Sequence, residues 1–434
     1  LALSGGYHDD DTRMPGALTE TDFANGVPRT GTVYPDDYSK TEDSYVQLNP
    51  EIFFFQNSLF QIPLSYRSRD TLGFSSFFNG TMTWEANTDI KTVSVSPQFV
   101  IKETVFGHNN NLTFGFDYND AEEDIINTLT IVTPSTDEFT LGKENYGYYI
   151  HDEFFLLKAL ALSAGYRYDK VEYTFSPWTP AKKDYDENLF SAGIDYNFYK
   201  DSHVYFGFSQ GFRYPVIDEH FDYTSNTINT NLVPQTSDNY EFGVRHHFTQ
   251  TFYVNLNFFR IDTKDEIYYN PTGGPFGWGA NENLDGETRR DGVEITLGKT
   301  FKNMTLRRSY TYTDAEITSV QFSGKELPAV PKHMASFDSV FDLGRGFTFT
   351  FNGKYVGELF FESDYANAFA KQDDYVVFNA KLQYAWKKFT TYLDVNNLFN
   401  EEYSEYGVLG GSPVQTAVYP SPERNFLVGV KFDY

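Results

Sequence analysis

Apolar and polar side chains alternate along most of this chain with a period of two residues. In "TFYVNLNFF" (251–259) one face carries only apolar side chains: Phe252, Val254, Leu256 and Phe258. The same alternation recurs in 203–209, 292–298 and 375–384, and no segment repeats with the period of a helix. Because successive side chains of a strand point to opposite faces, the pattern predicts an all-β protein whose strands each have one apolar and one polar face.

Two kinds of connection alternate between these strands. Turns such as 200–202, 302–303 and 387–388 are short. The other connections are long and polar: 8–43, 70–89, 119–142, 176–186, 214–235, 270–286, 319–330, 362–372 and 400–421. Short turns on one rim and long loops on the other are typical of a transmembrane antiparallel β-barrel. If 70–89 is one connection, in which 77–86 is loop or strand extension, the chain contains about 18 strands.

The chain ends in "RNFLVGVKFDY", which has the pattern of a strand. One face of this segment is entirely apolar: Phe426, Val428, Val430, Phe432 and Tyr434. Inside a bilayer every backbone group needs a partner, so we expect the sheet to close and the last strand to pair with the first. The apolar face then contacts lipid, with Tyr434 in an aromatic girdle, and forms the signal for barrel assembly. An amphipathic last strand of a soluble sheet is the alternative.

The composition fits surfaces that are divided between lipid and water. The 434 residues include 43 Phe, 33 Tyr and 4 Trp, yet the mean hydropathy is −0.48. A net charge of −26 disfavours nucleic acid as a partner, because a surface that follows phosphates needs clustered Lys and Arg. The nearest approach to a membrane helix, 154–162, is short and contains Lys158. The first ten residues lack the pattern of a signal peptide, and the absence of Cys excludes disulfides and thiolate chemistry.

Five segments in the second half of the chain resemble, in order, elements of TonB-dependent outer-membrane receptors. They are "FGFSQGFRYPVIDEHF…NTNLVPQTSDNYEFGVR" (206–245), "NLDGETRRDGVEITLG" (283–298), "LPAVPKHMAS" (327–336), "TYLDVNNLFNEEYSEYG" (391–407) and "PERNFLVGVKFDY" (422–434). "YHDDDTRMPGALTE" (7–20) is similar to an early extracellular loop of the same family. The resemblance implies a barrel in the bacterial outer membrane with its long loops outside the cell.

The same resemblance implies a function in nutrient uptake. Receptors of this family take up a scarce nutrient, most often a ferric siderophore and otherwise cobalamin, haem or a glycan. The loops would capture the nutrient, and the TonB system would use the proton-motive force to drive its release inward. The expected partners are outer-membrane lipids, lipopolysaccharide, the barrel-assembly machinery and TonB, and no cofactor is expected.

The resemblance is incomplete at the front of the chain. The family has a TonB box and a plug domain before a barrel of 22 strands, and nothing in this sequence resembles either segment. We therefore expect residues 1–434 to form one barrel domain, equivalent to the last 18 of those 22 strands, with TonB acting through a plug outside this sequence. A passive 18-stranded porin is the main alternative, and a structural or adhesive outer-membrane barrel is a third.

Candidate substrate contacts lie in two of the long loops: Arg213, Glu219, His220, Phe276 and Trp278. The first three follow a strand that ends in "FRYP", and the two aromatic residues lie among glycines, where they are placed to stack on a ligand. A structural interpretation stands beside the functional one, because FR-x-P also ends a strand by removing a backbone donor from the ladder.

The remaining chemical groups favour structural interpretations. Arg289 and Arg290 either bind an anion or belong to a charged, water-facing barrel wall. The acidic runs 9–11 and 35–37 lack the ligand spacing of a calcium loop, and the adjacent His246 and His247 point to opposite faces of a strand. With no nucleophile paired with a base, no phosphate loop and no zinc pattern, the sequence predicts neither a metal site nor an enzyme.

Overall fold

The computed structural model of the chain describes residues 1–55, 57–77, 80–222, 227–274, 277, 279–318, 320–410 and 413–433. These residues include one short α-helix, α1 (Glu20–Ala24), and a 3₁₀ turn (Ile217–His220). The strands are β1 (Ala2–Arg13), β2 (Leu18–Thr19), β3 (Tyr38–Asn49), β4 (Glu51–Phe54), β5 (Ser58–Gln61), β6 (Leu64–Phe77), β7 (Met82–Val95), β8 (Gln98–Val105), β9 (His108–Thr130), β10 (Pro134–Leu157), β11 (Leu160–Ser176), β12 (Lys182–Tyr199), β13 (Ser202–Arg213), β14 (Phe221–Asp222), β15 (Thr227–Ile228), β16 (Gln235–Thr249), β17 (Phe252–Lys264), β18 (Ile267–Asn270), β19 (Ala280–Asn283), β20 (Glu287–Thr300), β21 (Met304–Ile317), β22 (His333–Gly344), β23 (Phe347–Val356), β24 (Tyr375–Trp386), β25 (Phe389–Asn396), β26 (Ser404–Gly410), β27 (Gln415–Pro420) and β28 (Asn425–Phe432).

The wall of the molecule is one sheet of 21 strands, which make 18 crossings. Three crossings each consist of two strands, because Pro50, Pro63 and Pro97 interrupt the ladder between β3 and β4, β5 and β6, and β7 and β8. Proline has no backbone N–H to donate and therefore breaks a ladder at these points. The expected number of 18 strands in an antiparallel barrel wall is confirmed.

The crossings pair antiparallel with their neighbours in chain order. The ladder from β1 to β3 runs from Ala2–Asn49 to Arg13–Tyr38, and the ladder from β25 to β28 runs from Phe389–Phe432 to Asn396–Asn425. In the described part of the chain, these are the residue-by-residue ladders of the first strand, β1, and of the last strand, β28. The pairing of the last strand directly with the first stays a prediction.

The two faces of the wall differ in polarity, as the alternation predicted. One outward row consists of direct cross-strand neighbours: Phe206, Phe242, Phe258 and Val293. The inward row beside it is polar: Tyr205, Gly243, Asn257 and Glu294. The Tyr205 hydroxyl donates to Asn257 Oδ1 at 3.2 Å, and Asn257 Nδ2 donates to Glu294 Oε2 at 3.3 Å. Polar groups therefore bond to one another on the inner face while aromatic rings face outward.

The terminal strand follows the same rule. Phe426, Val428, Val430 and Phe432 lie on the outward face of β28 and are about half to three-quarters exposed. Tyr434 lies outside the described residues. The outward, lipid-facing position expected for the first four side chains agrees with this geometry, whereas their role as an assembly signal stays a prediction.

Two predicted loops are strands instead. The connection expected at 119–142 is paired from Asn119–Asn145 up to Thr130–Pro134, so the turn between β9 and β10 occupies only the three residues 131–133. Likewise β6 and β7 pair up to Phe77–Met82 within the connection expected at 70–89, so that 82–86 is the strand extension that was one of the two interpretations. Most side chains on the outward face of both segments are polar, which misled the prediction. Strands that project beyond the lipid need no apolar outward face.

The long loops interlock at their rim. Strands β2, β27 and β26 form a three-stranded sheet that joins the segment after β1 to the segment before β28. Arg29 strengthens this junction by donating to the Tyr403 carbonyl oxygen at 2.5 Å.

Thr19 begins the short helix α1 with a reciprocal capping box to Asp22. None of the helices in the described residues has the length and apolar character of a membrane span.

Candidate ligand-binding site

The double hairpin of β9 to β12 rises above the rest of the wall. Strands β9 and β10 contain 23 and 24 residues, about twice the 9–11 residues that a tilted strand needs to cross a bilayer. Their upper halves therefore stand outside the membrane. The inner face of this extension is an apolar cluster with exposures of 5% or less: Ile125, Phe139, Leu141, Val171, Tyr173 and Phe175.

Segment 214–234, between β13 and β16, docks on this apolar cluster. Phe221 packs against Phe139 with ring centroids 4.6 Å apart. The Tyr173 hydroxyl donates to the Pro215 carbonyl oxygen at 2.5 Å, and the Tyr185 hydroxyl donates to that of Leu232. The long hairpin thus holds both ends of the segment by hydrogen bonds and its middle by aromatic packing.

His220 is a core residue of this docked segment. Its side chain is fully buried, and its ring lies edge-on to Tyr173 at 4.8 Å and to Phe175 at 5.4 Å. Nδ1 lies 3.0 Å from the Asn229 carbonyl oxygen, to which it donates in the fitting tautomer. Burial lowers the pKa of His220, which keeps the ring uncharged. The structure places this predicted substrate contact in the packing between the loop and the long hairpin.

Arg213 and Glu219, which the sequence also selected, form an ion pair. Arg213 Nη1 lies 2.9 Å and 3.0 Å from the two carboxylate oxygens of Glu219, and one of these also accepts the Val216 backbone N–H at 2.8 Å. The pair closes the 3₁₀ turn after the end of β13. Both residues therefore shape the segment, and Glu219 in addition lines the cavity beside it.

A second segment, 265–286, packs beside the first. Asn283 replaces a backbone partner by accepting the Val233 N–H at 2.9 Å and donating to the Val233 carbonyl at 3.0 Å. Asn229 Nδ2 donates to the Asn281 carbonyl oxygen at 2.7 Å. Side-chain amides thus bridge the two segments in the same manner as a β-ladder and fix the distance between them.

A cavity of about 820 Å³ lies between these two segments. This volume is within the range of small-molecule pockets. The lining includes three carboxylates, several amides and a few apolar side chains: Asp218, Glu219, Phe221, Thr227, Ile228, Asn229, Asn231, Leu232, Tyr269, Gly274, Gly279, Ala280, Asn281, Glu282 and Asn283. A Cβ on Gly279 would come within 1.8 Å of the Tyr269 hydroxyl oxygen, so the tyrosine occupies space that only glycine leaves open.

Two of the lining carboxylates bond to neutral or acidic neighbours. Asp218 shares a hydrogen bond with Glu123 on the long hairpin, and Glu123 is only 7% exposed. Burial and the adjacent Asp218 raise the pKa of Glu123 to about 7. Glu282 Oε2 accepts hydrogen bonds from the Tyr268 hydroxyl and from Asn270 Nδ2, both at 3.1 Å. The cavity therefore has an acidic character.

The other candidates have separate positions. Phe276 and Trp278 lie outside the described residues; Gly274 and Gly279, which flank them in the sequence, line the cavity. Tyr268 is buried against Tyr365 with ring centroids 4.6 Å apart, and burial raises its pKa to about 12. Tyr269, in contrast, lines the cavity.

Arg289 and Arg290 have structural partners on opposite faces of β20. Arg289 Nε lies 2.6 Å from Asp262, and Arg290 Nη2 lies 2.7 Å from Glu266. In the part of the chain that the structure describes, no group of three or more His, Asp or Glu side chains is arranged to hold a metal ion.

Sequence reasoning missed several cavity residues, among them Asp218, Asn229, Asn281 and Asn283. They lie in two segments about fifty positions apart, and only the docking of both segments brings them together. One signal was available in the sequence, because neither 214–234 nor 265–286 contains a Lys or an Arg.

The chain matches a family model described as TonB dependent receptor-like, beta-barrel, over residues 2–398. It is 30% identical over 197 residues to the iron-regulated outer membrane virulence protein of Vibrio cholerae serotype O1, a match that covers 41% of this chain and 30% of that relative. It is 23% identical over 320 residues to an uncharacterized TonB-dependent receptor of Haemophilus influenzae, a match that covers 66% of this chain and 86% of that protein.

Solved structures share the fold at low sequence identity. The siderophore receptor PiuA of Acinetobacter baumannii superposes with a TM-score of 0.84 at 17% identity, over 100% of this chain and 71% of that one. The unliganded ferric citrate transporter FecA superposes with a TM-score of 0.82 at 17% identity, over 99% of this chain and 67% of that one. The ferric yersiniabactin uptake receptor FyuA of Yersinia pestis superposes with a TM-score of 0.81 at 16% identity, over 100% of this chain and 67% of that one.

Proposed function

The chain belongs to the TonB-dependent receptor family as its β-barrel, and from this premise we propose that it captures a ferric siderophore for import powered by TonB. Members of the family are transport receptors of the bacterial outer membrane, not enzymes. The long-loop rim therefore faces the outside of the cell, where a scarce nutrient is first met. Outer-membrane lipids and lipopolysaccharide surround the wall in this proposal.

The cavity between segments 214–234 and 265–286 is the observation that carries the proposal. It opens among the extracellular loops, its volume of about 820 Å³ suits a chelate of siderophore size, and both of its walls are fixed by hydrogen bonds. A pocket that is already formed loses little conformational entropy when it binds, which favours the capture of a dilute ligand. PiuA is a siderophore receptor, FecA a ferric citrate transporter and FyuA a ferric yersiniabactin uptake receptor, which supports iron chelates as the ligand class.

Uptake of radioactive iron tests the proposal. The gene that encodes this chain is expressed in a Gram-negative host without siderophore receptors of its own, with and without TonB. We expect uptake of at least one ferric chelate above the empty-vector level, and only when TonB is present. Uptake that persists without TonB, together with steady ion conductance of the purified protein in planar bilayers, would contradict the proposal and establish a passive channel.

A further inference from the structure

The two segments that form the cavity carry charge of one sign. Segments 214–234 and 265–286 together contain seven acidic residues and no Lys or Arg. The acidic residues are Asp218, Glu219, Asp222, Asp265, Glu266, Glu282 and Asp285. This distribution is a property of the sequence and holds for every part of both segments, so a cation from these segments cannot reach the cavity.

Two of these carboxylates form ion pairs with arginines of neighbouring strands, whereas two others bond to groups that carry no positive charge. Arg213 pairs with Glu219, and Arg290 pairs with Glu266. Asp218 and Glu282, however, line the cavity and bond to Glu123 and to Tyr268 and Asn270 respectively. The described lining therefore carries carboxylates and neither Lys nor Arg, in a chain whose net charge is −26.

The carboxylates of the described lining, Asp218, Glu219 and Glu282, only accept hydrogen bonds, whereas its asparagine amides both accept and donate. Tyr269, which is 46% exposed, adds an aromatic ring to the lining. The lining is thus complementary to a ligand that presents N–H, O–H or ammonium groups.

We propose that this cavity selects iron chelates that are uncharged or positively charged and rich in hydrogen-bond donors, and rejects anionic catecholate and carboxylate chelates. The proposal rests on the proposed function, because it names the class of chelate that this receptor captures. An anionic chelate would place its charge next to Asp218 and Glu282, and no Lys or Arg among the described lining residues would offset the repulsion. A hydroxamate chelate with a free ammonium group offers the positive charge and the N–H donors that complement the lining carboxylates.

Binding of three chelates to the purified protein in detergent tests the selection. The probes are ferrioxamine B, a cationic ferric trihydroxamate, the uncharged ferric complex of a cyclic trihydroxamate, and the anionic ferric complex of a tricatecholate. Quenching of the intrinsic Tyr and Trp fluorescence reports binding. We expect ferrioxamine B to bind at least about tenfold more tightly than the tricatecholate chelate, and its affinity to fall with rising salt because the attraction is electrostatic.

Charge-changing variants locate the effect in the cavity. Asp218→Asn and Glu282→Gln keep the size of the side chain, and each should weaken ferrioxamine B by about tenfold. Asn231→Lys adds a cation to the exposed lining and should improve the affinity for the tricatecholate chelate. Glu122→Gln, on the exposed outer face of the long hairpin, is the matched control and should bind as the wild type. Heat-modified migration on a gel checks that each variant is a folded barrel.

The possible outcomes separate the two proposals. If the anionic chelate binds more tightly than ferrioxamine B, the charge selection is overturned while the siderophore function stands. If ferrioxamine B binds but neither Asp218→Asn nor Glu282→Gln weakens it, the cavity is not its site and the inference is overturned. If none of the chelates binds and none supports uptake into cells, the proposed function itself fails.

Discussion

At the scale of single residues, the pairing of Glu123 with Asp218 makes the docked loop sensitive to pH. A carboxyl group can donate to a carboxylate only while it holds a proton, and the pKa of Glu123 is raised from its ordinary value of 4.5 to about 7. Between these values the folded protein binds more protons at Glu123 than the unfolded chain does. The stability contributed by Glu123 is therefore complete below about pH 4.5 and is lost as the pH rises through about 7.

Glu123→Gln should remove this dependence. A glutamine amide donates to Asp218 at every pH, and the other charged group nearby, Glu219, is already paired with Arg213. We expect the docking of segment 214–234 in the wild type to weaken between about pH 5 and about pH 8, and the docking in the variant to change much less. Limited proteolysis of this segment measures the effect. The neighbouring exposed Glu122→Gln should keep the wild-type pH profile, and an unchanged profile in Glu123→Gln would refute the argument.

His220→Ala should loosen the same segment without unfolding the barrel. The change removes a fully buried ring from between Tyr173 and Phe175 and leaves a cavity, which costs about 2–4 kcal/mol at such positions. Hydrogen exchange of the backbone amides in 214–222 should accelerate by about two orders of magnitude, while exchange in β17 stays slow. His8→Ala, on the exposed strand β1, serves as the control. Equal exchange in both variants would mean that His220 does not hold the loop.

At the scale of elements, the sequence predicted the wall better than the rim. The alternation in 251–259 and 425–432 matches β17 and β28, because lipid on one side and water on the other impose opposite polarities on the two faces. The wrong prediction of a loop at 119–142 concerns strands above the membrane, where the two faces no longer differ in polarity in this way. Above the membrane both faces of β9 and β10 meet water or a docked loop, so their apolar side chains, such as Ile125 and Leu141, are sparse and isolated in the sequence.

The pocket depends on contacts that no local pattern encodes. Glu219 was identified next to the end of β13, but the role of Asn283 requires knowing that 265–286 lies against Val233. Docking of two irregular segments is decided by their side-chain hydrogen bonds and by the apolar cluster of the long hairpin. The distribution of charge, in contrast, could be obtained from the sequence without any structure.

Asn283→Ala tests whether the two segments act as one element. The substitution removes both hydrogen bonds to Val233 and the bond to the Asp265 carbonyl oxygen at 2.6 Å. We expect chelate affinity to fall by about tenfold or more, because the walls of the cavity separate, with no loss of barrel fold. Asn303→Ala, in a short turn at the opposite rim, should bind as the wild type. Unchanged affinity in Asn283→Ala would show that the fixed spacing is not needed.

At the scale of the whole molecule, the extracellular loops form an interlocked rim. Tyr365 packs on Tyr268 at 4.6 Å, Asn367 bridges to the backbone of Glu326, and Thr416 donates to Glu20 at 2.8 Å. These contacts connect segments that are distant in the sequence, including the first and the last long loops. The barrel wall supports these loops, and the loops hold one another around the acidic cavity.

The position of the iron atom in a complex tests the central claim most directly. Crystals of the protein grown with ferrioxamine B, measured at the absorption edge of iron, give an anomalous peak that marks the metal without reference to the rest of the chelate. We predict a single peak in the cavity between Asp218 and Glu282, near the face of Tyr269. A peak inside the barrel below the docked loops, or at another loop pair, would contradict the assignment of this cavity as the capture site.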